Sequence, residues 1–212
     1  MILQCKRDMS SEALTANRLY PVIAYDINVD NDIVTYQIVD DSRSLSKRQN
    51  NRFEVVSYSK EGYIKADSDN RFLKYLYEDL HDKDFFVDYY LENEKSIVAN
   101  EKLENALISI LSNELSSNEL LSYLEMLGYQ DENADLLLRA FFLKAKENDI
   151  ITFSTVVYDK ITMLNNYLVE IIIKNLSYYK AKEIESIFIE LYINSISYNE
   201  GIMEIVSNYL NI

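Results

Sequence analysis

The sequence predicts an α+β chain, with a small β-barrel over residues 1–60 followed by an all-α helical bundle over residues 61–212. Three observations carry this. Residues 1–57 hold short β-branched and aromatic runs separated by polar turn clusters. From Asn70 onward apolar residues recur at spacings of three and four, the period of a buried helix face. Charge divides at the same place. Residues 1–60 hold eight basic and eight acidic residues, so the whole net charge of −14 falls in residues 61–212. Three glycines and one proline in 212 residues also disfavour a turn-rich sandwich or a doubly wound sheet.

In the first part "RLYPVIAYDI" and "IVTYQIV" alternate partly and read as strands, with turns at "NVDND" and "DDSRS". Pro21 cannot donate to a ladder, so it calls for a sheet edge or a bulge. "NRFEVVS" reads as the last strand. Four or five such strands in fewer than 60 residues make a small barrel.

Cys5, Leu14, Thr15, Leu19, Tyr20, Val22, Tyr36, Ile38, Asp40, Asp41, Arg52, Phe53 and Glu54 follow a recurring pattern. It has an opening strand with a cysteine, an "LT…Y" segment, a "Y-x-I-x-D-D" strand and turn, and a closing "R-F-E". Over this quarter of the chain the sequence resembles a small SH3-like barrel domain of proteins from low-GC Gram-positive bacteria and their phages. The resemblance implies that fold and a phage or mobile-element setting. It implies no reaction, because these barrels often serve as accessory modules. Two places depart from the pattern: Asn17 stands where the family has glycine, and the "DDSRS" turn lacks glycine. Asn and Asp accept positive φ better than other non-glycine residues, so both departures fit the backbone. Cys5 reads as a small buried hydrophobe. The basic cluster Arg43, Lys47, Arg48 and Arg52 fits a contact with the acidic half of the chain at least as well as nucleic acid, because residues 1–60 carry no net positive charge.

In the second part "FLKYLYEDL" sets Phe72, Leu73, Leu76 and Leu80 on one helical stripe, and "LENALISILSNEL" does the same with Leu103, Ala106, Leu107, Ile110 and Leu111. Ser116 and Glu119 have capping-box spacing, and Gly128 sits at a C-cap. "ENADLLLRAFFLKAKEND" is amphipathic. Ser154 is placed to cap "TVVYDKITMLNNYLVEIIIKNL", the most apolar segment and the expected central helix. "KAKEIESIFIELYINSI" and "NEGIMEIVSNYLN" complete seven or eight helices, which bury their stripes as a bundle. "NDIITFSTVVYDKITML" is also similar to a central helix of the poxvirus Bcl-like inhibitors, which implies an all-helical inhibitor. No fixed-period repeat points to a solenoid.

Several function classes are disfavoured. Gly62, Gly128 and Gly201 lie more than 60 residues apart, so no glycine-rich phosphate loop can form. A single cysteine permits no internal disulfide and fits a reducing cytosol. There is no apolar run of about 18 residues, and Lys6, Arg7 and Asp8 follow too early for a signal peptide. The expected location is cytoplasmic, of a bacterial host in the phage setting. His81 is the only imidazole. With Asp84 and Asp88 it lies within two helical turns, but a metal site needs three or four ligands and supporting hydrogen bonds. His81 reads as a surface histidine at a helix end. No enzyme, cofactor or metal is expected.

"KYLYEDLHDKDFFVDYYLENE", residues 74–94, holds seven carboxylates and six aromatic rings. The rings fall mostly with the leucines on faces that helices bury. Asp84, Asp88 and Glu92 are spaced four apart, which sets them on one helix face about 6 Å apart. Like charges at that spacing cost a few tenths of a kcal/mol per pair. Two readings stay open: a solvated face of an acidic bundle, or a docking surface for a basic protein made by Glu78, Asp79, Asp82, Asp84, Asp88, Glu92 and Glu94. DNA carries one charge per ~1.7 Å of axis, so mimicry of it would need several helices. The acidic half repels nucleic acid and anionic membranes, which leaves a basic protein as the expected partner. The expected function is a non-enzymatic phage or mobile-element accessory protein that inhibits a host protein, such as a nucleic-acid-handling defence nuclease. A scaffold role or an immunity-type protein is the alternative.

Overall fold

The computed structural model describes residues 1–8, 10–66, 71–91, 93–129 and 133–212. They form two units, Met1–Leu115 and Ser116–Ile212.

The first unit has strands β1 (Ile2–Cys5), β2 (Leu19–Pro21), β3 (Ala24–Asn28), β4 (Val34–Val39), β5 (Leu45–Gln49), β6 (Phe53–Ser57), β7 (Tyr63–Lys65) and β8 (Phe72–Tyr77). Helices α1 (Phe85–Tyr89) and α2 (Glu94–Glu114) follow. The strands make two antiparallel sheets, ordered β2-β1-β6 and β5-β4-β3-β8-β7. Among the described residues no ladder joins the two into a closed barrel. Pro21 ends β2, which is an edge strand, so its missing donor leaves no gap. Beyond it the chain passes between sheets: Val22 N–H donates to Met1 O at 3.1 Å and Ile23 N–H to Gln37 O at 3.0 Å. Alternation along the strands turns Leu3, Cys5, Tyr20, Tyr25, Tyr36, Ile38 and Phe53 into one core. The apolar face of α2, with Ala99, Leu103, Ala106, Leu107, Ile110 and Leu111 buried, packs on β1 and β2.

Phe72–Tyr77 is a strand, which corrects the helix expected there. β8 pairs with β3 from Ala24↔Leu76 to Asn28↔Phe72, and with β7 on its other side. The segment satisfies both periods, because Phe72, Leu73 and Leu76 are three and four apart while Leu73, Tyr75 and Tyr77 alternate. Long-range contacts decide. Tyr75 stacks on Tyr25 at 4.7 Å between centroids, and Tyr77 meets Tyr63 edge-on at 5.4 Å. The boundary expected near residue 60 therefore falls between β6 and β7, inside the first unit. The charge step there marks no structural division. Met1–Leu115 holds 14 basic and 21 acidic residues and Ser116–Ile212 holds seven and 14, so each unit carries −7.

The resemblance residues are tied by hydrogen bonds. Asp41 accepts from Arg18 Nη1, Tyr20 OH and Thr15 Oγ1, each at 2.7 Å. Asp40, 7% exposed, accepts from the Ser42 hydroxyl at 2.6 Å and from the Ser42 and Ser44 N–H groups at 3.1 Å. The positions without glycine take left-handed backbone: Asn17 has φ 63° and Arg43 has φ 59°. The second strained residue is thus an arginine, which gains less than Asn or Asp from that region. Three residues of the basic cluster pair with acids of the first part of the chain. Lys47 pairs with Asp26 at 2.6 Å, Arg48 with Asp40 at 3.5 Å and Arg52 with Glu12 at 3.0 Å, all within residues 1–60. Cys5 is buried and its thiol donates to Arg7 O at 3.1 Å, and burial pushes its pKa up.

The second unit contains α3 (Ser117–Leu127), α4 (Ala134–Lys144), α5 (Glu147–Tyr158), α6 (Asn166–Leu176), α7 (Lys182–Ile193) and α8 (Glu200–Leu210). The Ser116–Glu119 capping box forms both of its bonds, and Gly128 follows α3 with φ 81°. Ser154 is not a cap. It is buried inside α5 and donates to Ile150 O at 2.8 Å. The long apolar segment, and the Bcl-like stretch that overlaps its start, both break after Tyr158. Asn165 then restarts the helix as the α6 cap, accepting from Leu168 N–H at 3.0 Å. In α6 Val169, Ile172, Ile173 and Leu176 are fully buried, and the helix packs on α4 and α8.

The left-handed backbone at Asn17 makes a testable demand. Asn17→Ala lowers the stability of the chain by about 1 kcal/mol, whereas Asn17→Gly preserves or raises it. Urea denaturation of the three proteins checks this, and an alanine variant as stable as the parent would contradict it.

Candidate partner-binding site

The acidic stretch is the connection from β8 to α2. It opens with a 3-10 turn, Glu78–Leu80, that buries Leu80 and is tied down by Glu78 N–H donating to Gly62 O at 2.7 Å. α1 buries Phe85, and Tyr89 OH donates to Arg43 O at 2.9 Å, which clamps α1 to the β4–β5 turn. Asn93 caps α2 by accepting from Lys95 N–H at 2.9 Å.

That cap corrects the expected acidic stripe. Asp84 stands before α1, Asp88 lies in α1, and α1 ends at Tyr89. The next helix has its own start at Asn93, so the helix that carries Asp88 does not continue into α2. Glu92 lies outside the described residues. Glu78, Asp79, Asp82, Asp84 and Glu94 are exposed and Asp88 is half-buried. Two of these acids are neutralised from α2: Asp82 meets Lys102 Nζ at 2.6 Å and Asp88 meets Lys95 Nζ at 3.8 Å. The Lys102 hydrogen bond, helped by Asp84 N–H, holds the Asp82 carboxyl below its ordinary value. Among the described residues, Glu78, Asp79, Asp84 and Glu94 have no ion-pair partner.

The connector and the first turns of α2 also expose apolar surface that sequence reasoning missed. Val87 is 63% exposed, Tyr90 63%, Ile97 60% and Val98 52%. Tyr90 therefore leaves the set of rings expected inside. A signal for the α2 pair was present, because Ile97 and Val98 stand off the Ala99–Leu103–Ala106 stripe that the helix buries. Between α1 and α2 lies a hollow of about 150 Å³, lined by Phe85, Val98 and Ala99 and by the two ion pairs.

Other acids serve the fold. At the end of α2, the Glu114 side chain is 6% exposed and pairs with the Met1 ammonium at 2.9 Å, while Ser57 Oγ donates to its second oxygen. Burial lowers the pKa of that amine although Glu114 opposes the shift. Ser57, Tyr77, Asn113 and Glu114 line a polar cavity of about 420 Å³. His81 is exposed. Among the described residues no three His, Cys, Asp or Glu side chains converge as a metal site requires, and no helix is long and apolar enough to cross a membrane. No family model matches the chain, and no curated protein or solved structure is significantly similar to it.

Two substitutions separate the two kinds of acid. Lys102→Ala lets the Asp82 pKa rise toward its ordinary value, with the Asp84 N–H still holding it somewhat lower, read by carbon NMR titration, while the denaturation midpoint hardly moves. The depressed carboxyl contributes above its ordinary pKa, and that contribution is lost as pH falls through the lowered value. Glu114→Gln instead strands a buried ammonium and costs about 3 kcal/mol in urea denaturation.

Proposed function

We propose that this protein is a non-enzymatic inhibitor that captures a basic protein partner on the acidic connector between β8 and α2. One observation carries the reading. Glu78, Asp79, Asp84 and Glu94 are exposed without ion-pair partners among the described residues, and the connector with the first turns of α2 exposes four large apolar side chains by half or more. Apolar contact area with charge at its rim is the composition of an interface in which charge speeds encounter and apolar burial holds the complex. The net charge of −14 opposes nucleic acid as the direct ligand. The resemblance of residues 5–54 supports an SH3-like barrel for the two sheets and a phage or mobile-element setting. In that setting a host protein that handles nucleic acid offers the basic groove such a surface complements. An immunity-type protein that neutralises a basic toxin would use the same surface and chemistry.

The test compares the immobilised protein with a charge-reversed variant carrying Glu78→Lys, Asp79→Lys, Asp84→Lys and Glu94→Lys, its folding verified by circular dichroism. Host lysate is applied at 0.1 M salt and eluted toward 1 M, which shortens the Debye length from about 10 Å to about 3 Å. A basic protein is retained by the parent, released by salt and not retained by the variant. Retention indifferent to both salt and reversal would sink the charge-driven reading.

A further inference from the structure

The hollow between α1 and α2 has a chemistry that the acidic rim does not explain. Its charged lining residues are paired with one another, Asp82 with Lys102 and Asp88 with Lys95, so they offer a ligand little free charge. What remains apolar and accessible is Val98, about half exposed, over the edges of Phe85 and Ala99, which are themselves buried. Its volume of about 150 Å³ equals roughly five waters at about 30 Å³ each, the room one aliphatic side chain takes. At the end of α1, Tyr89 OH donates to Arg43 O, which fastens the helix to the β4–β5 turn. The residues immediately before Phe85 and Lys95 are Asp84 and Glu94, both exposed and without ion-pair partners among the described residues.

We propose that this hollow is the anchor pocket of the docking surface, receiving one Leu, Ile or Met side chain from a partner segment in which Lys or Arg flanks it. The proposal rests on the preceding reading of the connector as a docking surface for a basic protein, and it names what that partner must present. The flanking cations lie against Asp84 and Glu94, and the aliphatic group leaves water for the Val98 wall of the hollow. Burying such a side chain strengthens binding roughly 10- to 100-fold.

The experiment uses the full chain, labelled with nitrogen-15, and two synthetic heptapeptides. One has a central leucine flanked on each side by lysine and arginine, and the other has serine in its place. The leucine peptide binds at least about tenfold tighter and moves the amide signals of Phe85, Val98 and Ala99. Val98→Asp adds an acid but removes apolar wall, and it weakens the leucine peptide to the level of the serine peptide. Equal affinities for both peptides, with Val98→Asp strengthening both, overturn the anchor pocket and leave the acidic surface standing. If neither peptide binds at low salt, the acidic-surface reading falls as well.

Discussion

The pairing of β8 with β3 is the constraint on which the first unit depends. Without it β3 would present a bare edge, and the Tyr25 ring would lose the Tyr75 face it stacks on. With it the chain leaves the sheet at Tyr77, and Glu78 is tied to Gly62 before the connector begins. α2 then returns across β1 and β2 and ends at Glu114, whose carboxylate meets the Met1 ammonium and Ser57. A single strand pairing thus sets where the acidic connector starts, how far it must travel and where the following helix is fastened.

The acids of this unit divide by what they touch. Asp40 and Asp41 bind backbone amides, hydroxyls and arginine beside the β4–β5 turn, and Glu114 binds a buried ammonium. These hold the fold, because removing one leaves buried partners unsatisfied. Asp82 and Asp88 are surface pairs with lysines of α2, which orient the connector at small energetic gain. Glu78, Asp79, Asp84 and Glu94 do neither. Their charge is spent only on solvent and on whatever approaches, and the apolar side chains beside them lose water only if something binds.

Part of the site was legible and part was not. Residue types located the acidic stretch and its carboxylates. The stripe of Asp84, Asp88 and Glu92 was a different matter, since spacing of four defines a face only where one helix spans it. Asn93 reads equally well as an interior residue or as a cap, and the choice depends on α2 finding β1 and β2 to pack against. The two lysines that neutralise Asp82 and Asp88 are 20 and seven positions away in sequence. Their reach follows only from α2 lying alongside α1. Exposure of Val87 and Tyr90 likewise depends on α1 being clamped through Tyr89 rather than buried as a longer amphipathic helix.

Local chemistry sufficed wherever one turn or one face satisfied itself. The Ser116–Glu119 box, the Gly128 cap and the Leu103–Leu111 stripe all follow from neighbours a few positions away. Partner choice across long separations was beyond that reach. Phe72–Tyr77 fits both a helix of period 3.6 and a strand of period two, and pairing with residues nearly 50 positions earlier makes it a strand. Ser154 is a good cap by type, yet burial inside α5 turns its hydroxyl to Ile150. Charge composition pointed to a boundary near residue 60 because acids accumulate beyond it, but unit boundaries follow shared cores and strand pairings. Those place residues 61–115 with the sheets and leave six helices to the second unit.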